Sequence, residues 1–418
     1  MISDNAALLT AIRDRFAHVE TCPFEGPRIF FENAGGALRL KSVIETSAAH
    51  AGYPDNQGRA NAASEALMGI IARGKSDMRL FFNASGAGEV FVGESGTEVL
   101  FRLIRTAALA AIEGGVMLGS TLEHPATQSA MARWADATGR PLTRVSHDDA
   151  TGCVTLEAYR SALTPDTRVV SIVHTSPVTG MAVDVPAIAA AVREVAPDAF
   201  IIVDGIQHAS HGVVDVMACR ADGYAVSPYK MFARHGYGVG WASDRLTTAT
   251  KEQIIGGAPA NWELGTRDSG AYATFSDVVA YLDWLGGEVG GSKTPRARIE
   301  AAAAAIADQE AALLEAMLHG HGNLPGLAHL PGVTLIGGDR VAGREGVVSL
   351  RLETMRSADL VEHLRQRGIR VHIRKNDHYC GNVLGPLGME DCIRVSVSHY
   401  NTLAEVVRFL NAMREATL

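Results

Sequence analysis

Two apolar stretches that end in polar residues decide the fold: FIIVDGIQ at 200–207 and GYAVSPYK at 223–230. Each stretch has the length and composition of a buried strand, and polar residues follow directly after its apolar core. Asp204 therefore lies at the carboxyl end of the first strand, and Ser227 and Lys230 follow the second strand. In a parallel sheet these ends lie on one edge, where ligands bind.

An aspartate and a lysine placed in this way favour a site for pyridoxal 5'-phosphate (PLP). A lysine can form a Schiff base with the cofactor, and a carboxylate can keep the pyridine nitrogen protonated so that the ring accepts electrons. Each residue alone is weak, since a lone Lys is usually solvated and an Asp after a strand is usually a cap or turn residue. Together with Gln207 three residues after Asp204, and Ser227 three before Lys230, they predict PLP binding.

The composition is that of a globular protein large enough for two domains. The chain has 418 residues, of which 47% are hydrophobic and 20% charged, with a net charge of −8. No basic stripe indicates nucleic acid, and no apolar run indicates a signal segment or a membrane span. The cysteines are far apart without a CxxC pair, which favours a reducing compartment. We therefore expect a soluble cytoplasmic protein.

Apolar strands alternate with helices up to about residue 290, which predicts an α/β fold with a mostly parallel sheet covered on both faces. A Gly-rich break, GGEVGGSKTP at 286–295, then precedes an Ala-rich helix and a smaller α+β region. The expected domains are an N-terminal arm with a large PLP-binding domain, 1–290, and a small C-terminal domain, 291–418. Predicted strands lie at 116–120, 168–174, 200–205 and 224–227, and predicted helices at 5–19, 125–138, 155–163, 186–196, 295–318 and 357–367.

Phosphate needs backbone donors and hydroxyls at a helix N-terminus. Ser95, Gly96 and Thr97 stand between a predicted strand and a predicted helix, although most Ser-Gly-Thr turns are only helix caps. Ser227 and Tyr229 can add hydroxyl groups. Thr266, in WELGTR, is a further candidate.

Three side chains are candidates for contacts with the cofactor ring and the substrate. His124 follows the strand VMLGS and could lie against the pyridine ring, but it could equally be a helix cap or a surface residue. Gln207 can donate a hydrogen bond to the ring hydroxyl. Arg394 could bind an α-carboxylate with its planar fork, although a single strand arginine is usually structural.

No metal site is predicted. His372, His378, Cys380 and Cys392 form the one His/Cys cluster in the sequence, and their spacing matches no zinc template.

The chain resembles fold-type I PLP enzymes of the class V aminotransferase family along nearly its whole length. Within that family it is most similar to the branch of cysteine desulfurases, selenocysteine lyases and isopenicillin-N epimerases. The stretches that carry the resemblance are FFENAGGA (30–37), SGTEVLFRLIR (95–105), LEHPA (122–126), VDGIQHASHGVVDV (203–216), SPYKMF (227–232), WELGTRDSG (262–270) and RVSVSHYNTLAEVVRFL (394–410).

The resemblance implies a homodimer with shared active sites and a role for each matching residue. Lys230 would be the Schiff-base lysine, Asp204 the partner of the pyridine nitrogen and His124 the stacking ring. Thr266 would reach the phosphate bound by the neighbouring subunit. The remaining roles are Gln207 at the ring oxygen, Thr97, Ser227 and Tyr229 at the phosphate, and Asn33, Ala34 and Gly35 with Arg394 near the substrate carboxylate.

The chain departs from the family pattern at three places. Desulfurases carry a catalytic cysteine in a mobile segment, but an alignment without gaps puts Tyr379 there and Cys380 one residue late, so Tyr379 is expected beside the substrate. Pro177 replaces an asparagine that contacts the ring oxygen, which leaves Gln207 alone or with Ser176. Ala233-Arg234 replaces the usual Gly-Pro after the lysine.

The resemblance implies a PLP enzyme that acts on a small amino acid through deprotonation of Cα by Lys230. A cysteine desulfurase-like lyase of the β-elimination type is preferred, with an aminotransferase or an amino-acid epimerase as alternatives. A PLP-fold binding or regulatory subunit is the alternative outside catalysis. The presence of both Lys230 and Asp204 argues against it, because a protein without catalysis need not keep them.

Overall fold

The computed structural model describes residues 2–84, 86–290 and 293–418. The α-helices in this part of the chain are α1 (Ala6–Arg13), α2 (Lys41–Ala51), α3 (Ala62–Phe82), α4 (Gly96–Ala110), α5 (Pro125–Ala137), α6 (Leu156–Ala162), α7 (Val185–Val195), α8 (Asp244–Thr247), α9 (Ser269–Gly290), α10 (Pro295–His319), α11 (Ser357–Gln366), α12 (Gly381–Leu384) and α13 (Leu403–Ala416). Short 3-10 helices lie at Ile2–Asp4, Asn33–Gly35, His208–Ser210, Pro228–Lys230 and Leu327–His329.

The strands of the described residues are β1 (Thr21–Cys22), β2 (Gly26–Pro27), β3 (Ile29–Phe30), β4 (Glu89–Gly93), β5 (Val116–Ser120), β6 (Leu142–Val145), β7 (Thr167–Val173), β8 (Phe200–Asp204), β9 (Gly223–Val226), β10 (Gly238–Ala242), β11 (Gly320–His321), β12 (Leu324–Pro325), β13 (Val333–Ile336), β14 (Val347–Leu352), β15 (Ile369–Arg370), β16 (His372–Lys375) and β17 (Asp391–Ser396).

A sheet with the order β4-β10-β9-β8-β7-β5-β6 forms the centre of the molecule. Neighbouring strands from β9 to β6 are parallel, whereas β10 runs antiparallel to both β9 and β4. The predicted α/β fold with a mostly parallel sheet is therefore confirmed.

Both faces of this sheet are buried, as the near-continuous apolar strands predict. Along β8, Ile202 packs in one cluster with residues of α4 and α5, while Ile201 and Val203 pack in another with residues of α7. Successive side chains of a strand point to opposite faces, so a single apolar run serves both layers.

The predicted Gly-rich break at 286–295 is wrong at its start, because Gly286 to Gly290 close the helix α9. A Cβ at Gly286 would lie 2.7 Å from the Cα of Arg298 in α10, so this glycine permits close helix packing. Residues 291–292 of the break lie outside the described residues, and the domain division at 290 stays a prediction.

The C-terminal region forms a second, antiparallel sheet in the order β13-β14-β17-β16, with α11 and α13 packed into its core. The N-terminal segment joins this region, since β3 pairs in parallel with β15. No helix in the described part of the chain is long and apolar enough to cross a membrane.

Candidate active site

The strand ends predicted to carry the site meet at one edge of the central sheet. Asp204 is the last residue of β8, Ser227 follows β9, and His124 stands between β5 and α5. The strand β4 points the same way as β9, because β10 is antiparallel to both, so Gly96 at the start of α4 lies at the same edge. Crossover topology therefore brings together residues from four distant stretches.

A pocket opens at this edge, and most of the predicted cofactor residues line it. Its lining consists of Thr97, His124, Val173, Thr175, Pro177, Asp204, Ile206, Gln207, Ser227, Tyr229 and Lys230.

Lys230 closes the 3-10 helix that follows β9, and its side chain is buried, with 9% of the residue exposed. The Nζ atom donates a hydrogen bond to Oε1 of Gln207 at 3.1 Å. Burial lowers the pKa of Lys230 to about 7, with a further contribution from the charge of Arg394, while Asp204 opposes the shift. The amine is thus partly uncharged near neutral pH, which is the form that attacks an aldehyde.

Asp204 is held as an acceptor at the floor of the pocket. Oδ2 accepts a hydrogen bond from the hydroxyl of Thr127 at 2.8 Å, and Oδ1 accepts one from the backbone N–H of Ile206 at 3.1 Å. Sequence reasoning missed Thr127, although it stands only three residues after His124 on the first turn of α5.

Glu123 is a second buried carboxyl group that the sequence analysis did not identify. Burial, together with the nearby charge of Asp204, raises the pKa of Glu123 to about 8. Its Oε1 accepts a hydrogen bond from the backbone N–H of Val173 at 3.1 Å. Because Val173 lines the pocket, Glu123 ties β7 to the segment that carries His124.

His124 caps a helix and also lines the pocket, and its contact with the cofactor ring stays a prediction. Its Nδ1 accepts a hydrogen bond from the backbone N–H of Ala126 at 3.1 Å and so caps α5, while the ring lines the pocket. Burial lowers the pKa of His124, and the charge of Lys230 contributes in the same direction. The ring of Tyr379 lies 6.0 Å from it, centroid to centroid.

Ser95, Gly96 and Thr97 form the N-terminus of α4, and Ser227 lies against it. The Ser95 hydroxyl accepts a hydrogen bond from the N–H of Glu98 at 3.1 Å, which makes it the helix cap, and Thr97 lines the pocket. A Cβ at Gly96 would overlap the Ser227 hydroxyl and lie 2.6 Å from Cδ1 of Ile206. Only glycine permits this approach, which leaves helix N–H groups and hydroxyls available for an anion.

Several predicted residues lie outside the pocket lining among the described residues. Thr266 is exposed on the segment before α9. Asn33 donates a hydrogen bond to the carbonyl oxygen of Ser396 at 2.8 Å, and Ala34 donates its N–H to the hydroxyl of the same serine at 2.9 Å. These bonds fix the N-terminal segment on β17. A Cβ at Gly35 would lie 3.5 Å from Nη2 of Arg394.

Arg394 lies beside the pocket rather than in its lining. The residue is 3% exposed, and its Nη1 donates a hydrogen bond to the carbonyl oxygen of Pro177 at 3.0 Å. The proline that replaces the family's asparagine thus positions the arginine through its backbone. The Ser176 hydroxyl accepts hydrogen bonds from the N–H groups of Val178 and Thr179 and keeps its own hydrogen to donate, so its contribution beside Gln207 stays a prediction.

Tyr379 and Cys380 point in different directions, as the register argument predicts. Tyr379 is 44% exposed and faces His124, whereas Cys380 is fully buried among the core side chains around α12. The Cys380 sulfur accepts a hydrogen bond from Nε of Arg374 at 2.9 Å. Burial raises the pKa of this thiol, so it is predominantly protonated at neutral pH.

Ordinary structural contacts surround the other two departures from the family pattern, Ala233 and Arg234, and one member of the His/Cys cluster, His372. Ala233 is buried, and Arg234 forms an ion pair with Asp268. His372 lies 3.5 Å from a carboxylate oxygen of Glu32. Among the described residues, no three His, Cys, Asp or Glu side chains are grouped so that they could hold a metal ion.

The chemical groups that these residues present are suited to bind PLP. A partly neutral lysine, a hydrogen-bonded carboxylate, an aromatic ring and a helix N-terminus with a glycine cradle line or border one pocket. They match an aldehyde, a pyridine nitrogen, a ring face and a phosphate, respectively.

Comparison with known proteins agrees with this geometry. The aminotransferase class-V profile matches residues 29–282 and 293–409. A probable cysteine desulfurase of Vibrio cholerae is 24% identical over 98% of each chain. A cysteine desulfurase of Synechococcus elongatus is 27% identical, and the match covers 93% of this chain and 60% of that protein.

Solved structures show the same fold. The apo structure of a cysteine desulfurase from Thermococcus onnurineus NA1 superposes with a TM-score of 0.79 at 21% identity, covering 93% of this chain and 94% of that one. The predicted family and cofactor are confirmed: the chain belongs to the class V aminotransferase family of PLP-dependent enzymes.

Proposed function

We propose that this chain is a cysteine desulfurase-like lyase that acts on a small amino acid by elimination at Cβ. The observation that carries the proposal is the buried pair of Lys230 and Asp204 in the lining of one pocket. The names of the curated relatives support the desulfurase-like assignment.

When bound, PLP would supply the electron sink for the carbanion at Cα. Lys230, whose pKa is lowered to about 7, is suited to take the Cα proton and to donate it to the group that leaves from Cβ. Asp204 would stabilise the protonated pyridine nitrogen, and Thr127 fixes the orientation of that carboxylate. His124 would cover the ring face, and its cap to α5 limits its rotation.

The surroundings of Cys380 favour elimination over transfer of sulfur to the protein. A persulfide requires a thiolate that reaches the substrate sulfur. Cys380 is fully buried, its pKa is raised, and its sulfur already accepts a hydrogen bond from Arg374. Tyr379 stands on the pocket side and cannot carry a persulfide.

We further propose that the protein is a homodimer and that it works in the cytoplasm. Thr266 is exposed and outside the pocket, which is what a residue serving a neighbouring subunit requires. Ile254 and Ile255 on the preceding loop are 58% and 102% exposed, an apolar surface suited to a partner. The cysteines are all free thiols, as expected in a reducing compartment.

A spectral screen of the holoprotein against amino acids tests the proposed reaction, with assays for sulfide, pyruvate and keto acids on each hit.

Reduction with borohydride tests the role of Lys230 and should fix the cofactor on this residue. An adduct on another lysine, or no cofactor after reconstitution, would overturn the assignment of Lys230.

Mass spectrometry after reaction with cysteine tests the route of sulfur. We expect no persulfide on Cys380 and substantial activity in Cys380→Ala. A persulfide there together with an inactive alanine variant would show a true desulfurase instead.

Subunit mixing tests the shared site. Lys230→Ala and Thr266→Ala chains, each impaired alone, should regain activity when mixed, because one site of the mixed dimer then lacks both changes. A fully active monomer in solution would contradict this part of the proposal.

A further inference from the structure

A chain of buried hydrogen bonds begins at Lys230 and leads out of the pocket lining. Oε1 of Gln207 accepts the bond from Nζ of Lys230 at 3.1 Å, and Nε2 of the same amide lies 3.2 Å from Nε2 of His211. Nδ1 of His211 lies 2.7 Å from Oε2 of Glu310, a residue of α10. Gln207, His211 and Glu310 are all buried, so bulk water does not compete for these bonds.

The donors and acceptors of this chain follow one order. The amine of Lys230 donates to the carbonyl oxygen of Gln207, so the NH2 group of that amide faces His211 and donates to its Nε2. His211 then carries its hydrogen on Nδ1 and donates it to the carboxylate of Glu310. In this state the imidazole is neutral, and the side of Gln207 turned toward Lys230 and the pocket is an acceptor.

The amide of Gln207 has a second orientation of the same shape, with the NH2 group toward the pocket and the carbonyl oxygen toward His211. Nε2 of His211 must then carry a hydrogen in order to donate to that oxygen. Because Nδ1 already faces Glu310, the pair of side chains holds one proton more in this orientation. That proton makes the pair either an imidazolium beside a carboxylate or a neutral ring beside a protonated carboxyl group.

The surroundings of the pair suit it to hold the extra proton. Oε1 of Glu310 is buried without a hydrogen-bond partner among the described residues, and a positive ring beside it would compensate this carboxylate. Burial acts to lower the pKa of His211, but Glu310 and, more weakly, Glu345 raise it above its ordinary value, while Lys230 opposes them. Burial raises the pKa of Glu310 itself.

The other titratable groups near His211 do not replace Glu310. Glu345, on the segment before β14, lies 2.9 Å from Nδ1 of His208 and accepts a hydrogen bond from Thr175 on its second oxygen. Burial lowers the pKa of His399 to about 3, so this ring stays neutral. Glu310 is therefore the acidic group that sets the protonation of His211.

We propose that His211 and Glu310 are positioning residues that set the orientation of the Gln207 amide, and that the pair takes up a proton from solvent when PLP binds. The ring oxygen of PLP is ionised at neutral pH and accepts hydrogen bonds, so Gln207 can bond to it only with the NH2 group toward the pocket. No covalent bond changes in this step. The inference goes beyond the proposed function, because it holds for any reaction that the bound cofactor supports.

Calorimetric titration of the apoprotein with PLP, in buffers that differ in ionisation enthalpy, counts the protons taken up on binding. A PLP analogue without the ring hydroxyl is the chemical control, because it needs no donor from Gln207. At pH 8 we expect Glu310→Gln to take up fewer protons than the parent with PLP, by up to about one per site, and the same number with the analogue. The variant should also bind PLP about 10- to 100-fold more weakly, the range of a charge-assisted contact.

Glu315→Gln is the matched control, because it removes an exposed carboxylate from the same helix and should behave as the parent does with both ligands. Equal proton uptake by the parent and Glu310→Gln with PLP, or the same deficit with the analogue, would overturn the proposal. If Glu310→Gln fails to fold, His211→Gln provides the second test. Its amide can turn either an N–H or a carbonyl toward Gln207 without gaining a proton, so it should show the deficit with PLP and none with the analogue, and parental uptake would again overturn the proposal.

Discussion

Replacing Lys230 by methionine should change how the stability of the apoprotein depends on pH. Burial lowers the pKa of this amine from 10.5 to about 7. Between these values the unfolded chain binds a proton that the folded chain does not, so the free energy of unfolding should rise with pH by about 1.4 kcal/mol per unit. Below about pH 7 the amine is protonated in both states, and the folded protein bears the full free-energy cost of burying the charge.

Over the whole interval this effect amounts to about 5 kcal/mol, an upper bound because a protein relaxes around a buried charge. Methionine has similar length and no charge, so the variant should lose this pH dependence. It also removes the donor to Oε1 of Gln207, but that loss is constant with pH. The stability of the variant relative to the parent should therefore decline by about 2–3 kcal/mol between pH 7 and pH 9.

Urea unfolding of the two apoproteins at pH 7, 8 and 9 would measure the difference. Lys41→Met is the control, since Lys41 is exposed and its removal should give a profile parallel to the parent. Parallel profiles for Lys230→Met would refute the reasoning and would mean that the amine stays charged in the folded apoprotein.

Three further substitutions test the site, and a fourth, at Gly69, is the control for the first. Gly96→Ala would force a Cβ against Ser227 and should lower stability by about 1–3 kcal/mol and weaken PLP binding, measured by equilibrium dialysis and thermal unfolding. Gly69→Ala, in α3 with open space around the added carbon, should instead stabilise by about 0.5–1 kcal/mol. Thr127→Val removes the hydroxyl bonded to the pocket carboxylate and should shift the cofactor's absorbance and weaken its binding by about 1.5–3 kcal/mol; an unchanged spectrum and affinity would count against that contact. Arg394→Lys should weaken binding of amino-acid substrates by about 1.5–3 kcal/mol, and unchanged saturation would remove this arginine from the site.

The sequence predicted those parts of the molecule that short-range patterns encode. The strand at 116–120 coincides with β5, and the helix at 125–138 differs from α5 by one residue. The sequence allowed Asp204 and Lys230 to be assigned to one site because each stands at or after the end of a buried strand, and the topology of such sheets places those ends together. The antiparallel strand β10 was not predicted, since its direction depends on long-range pairing.

The residues that the sequence did not reveal reach the site through packing. Thr127 looks like an ordinary residue of an amphipathic helix until β8 places a carboxylate 2.8 Å from its hydroxyl. Glu123 follows a strand as many carboxylates do, and only burial against Asp204 raises its pKa to about 8. The Gly-rich stretch after 286 was read as a break because a glycine that serves helix packing has the same sequence signal as one in a loop.

The one-residue displacement of the cysteine bears directly on the route by which sulfur would leave the site. Placing Tyr379 on the pocket side turns Cys380 into the core, where its sulfur accepts the Nε hydrogen of Arg374. The same displacement therefore removes a nucleophile from the site and fixes a cation beside it. A desulfurase that passes sulfur through a protein persulfide needs the nucleophile at the site, and this arrangement does not provide it. Cys380→Ala should therefore leave the turnover number largely intact, and its main effect should be to loosen Arg374 by removing the acceptor of its Nε hydrogen, measured as a change in substrate saturation by steady-state kinetics. Loss of turnover with unchanged saturation would show that the thiol acts on the substrate and not through the arginine.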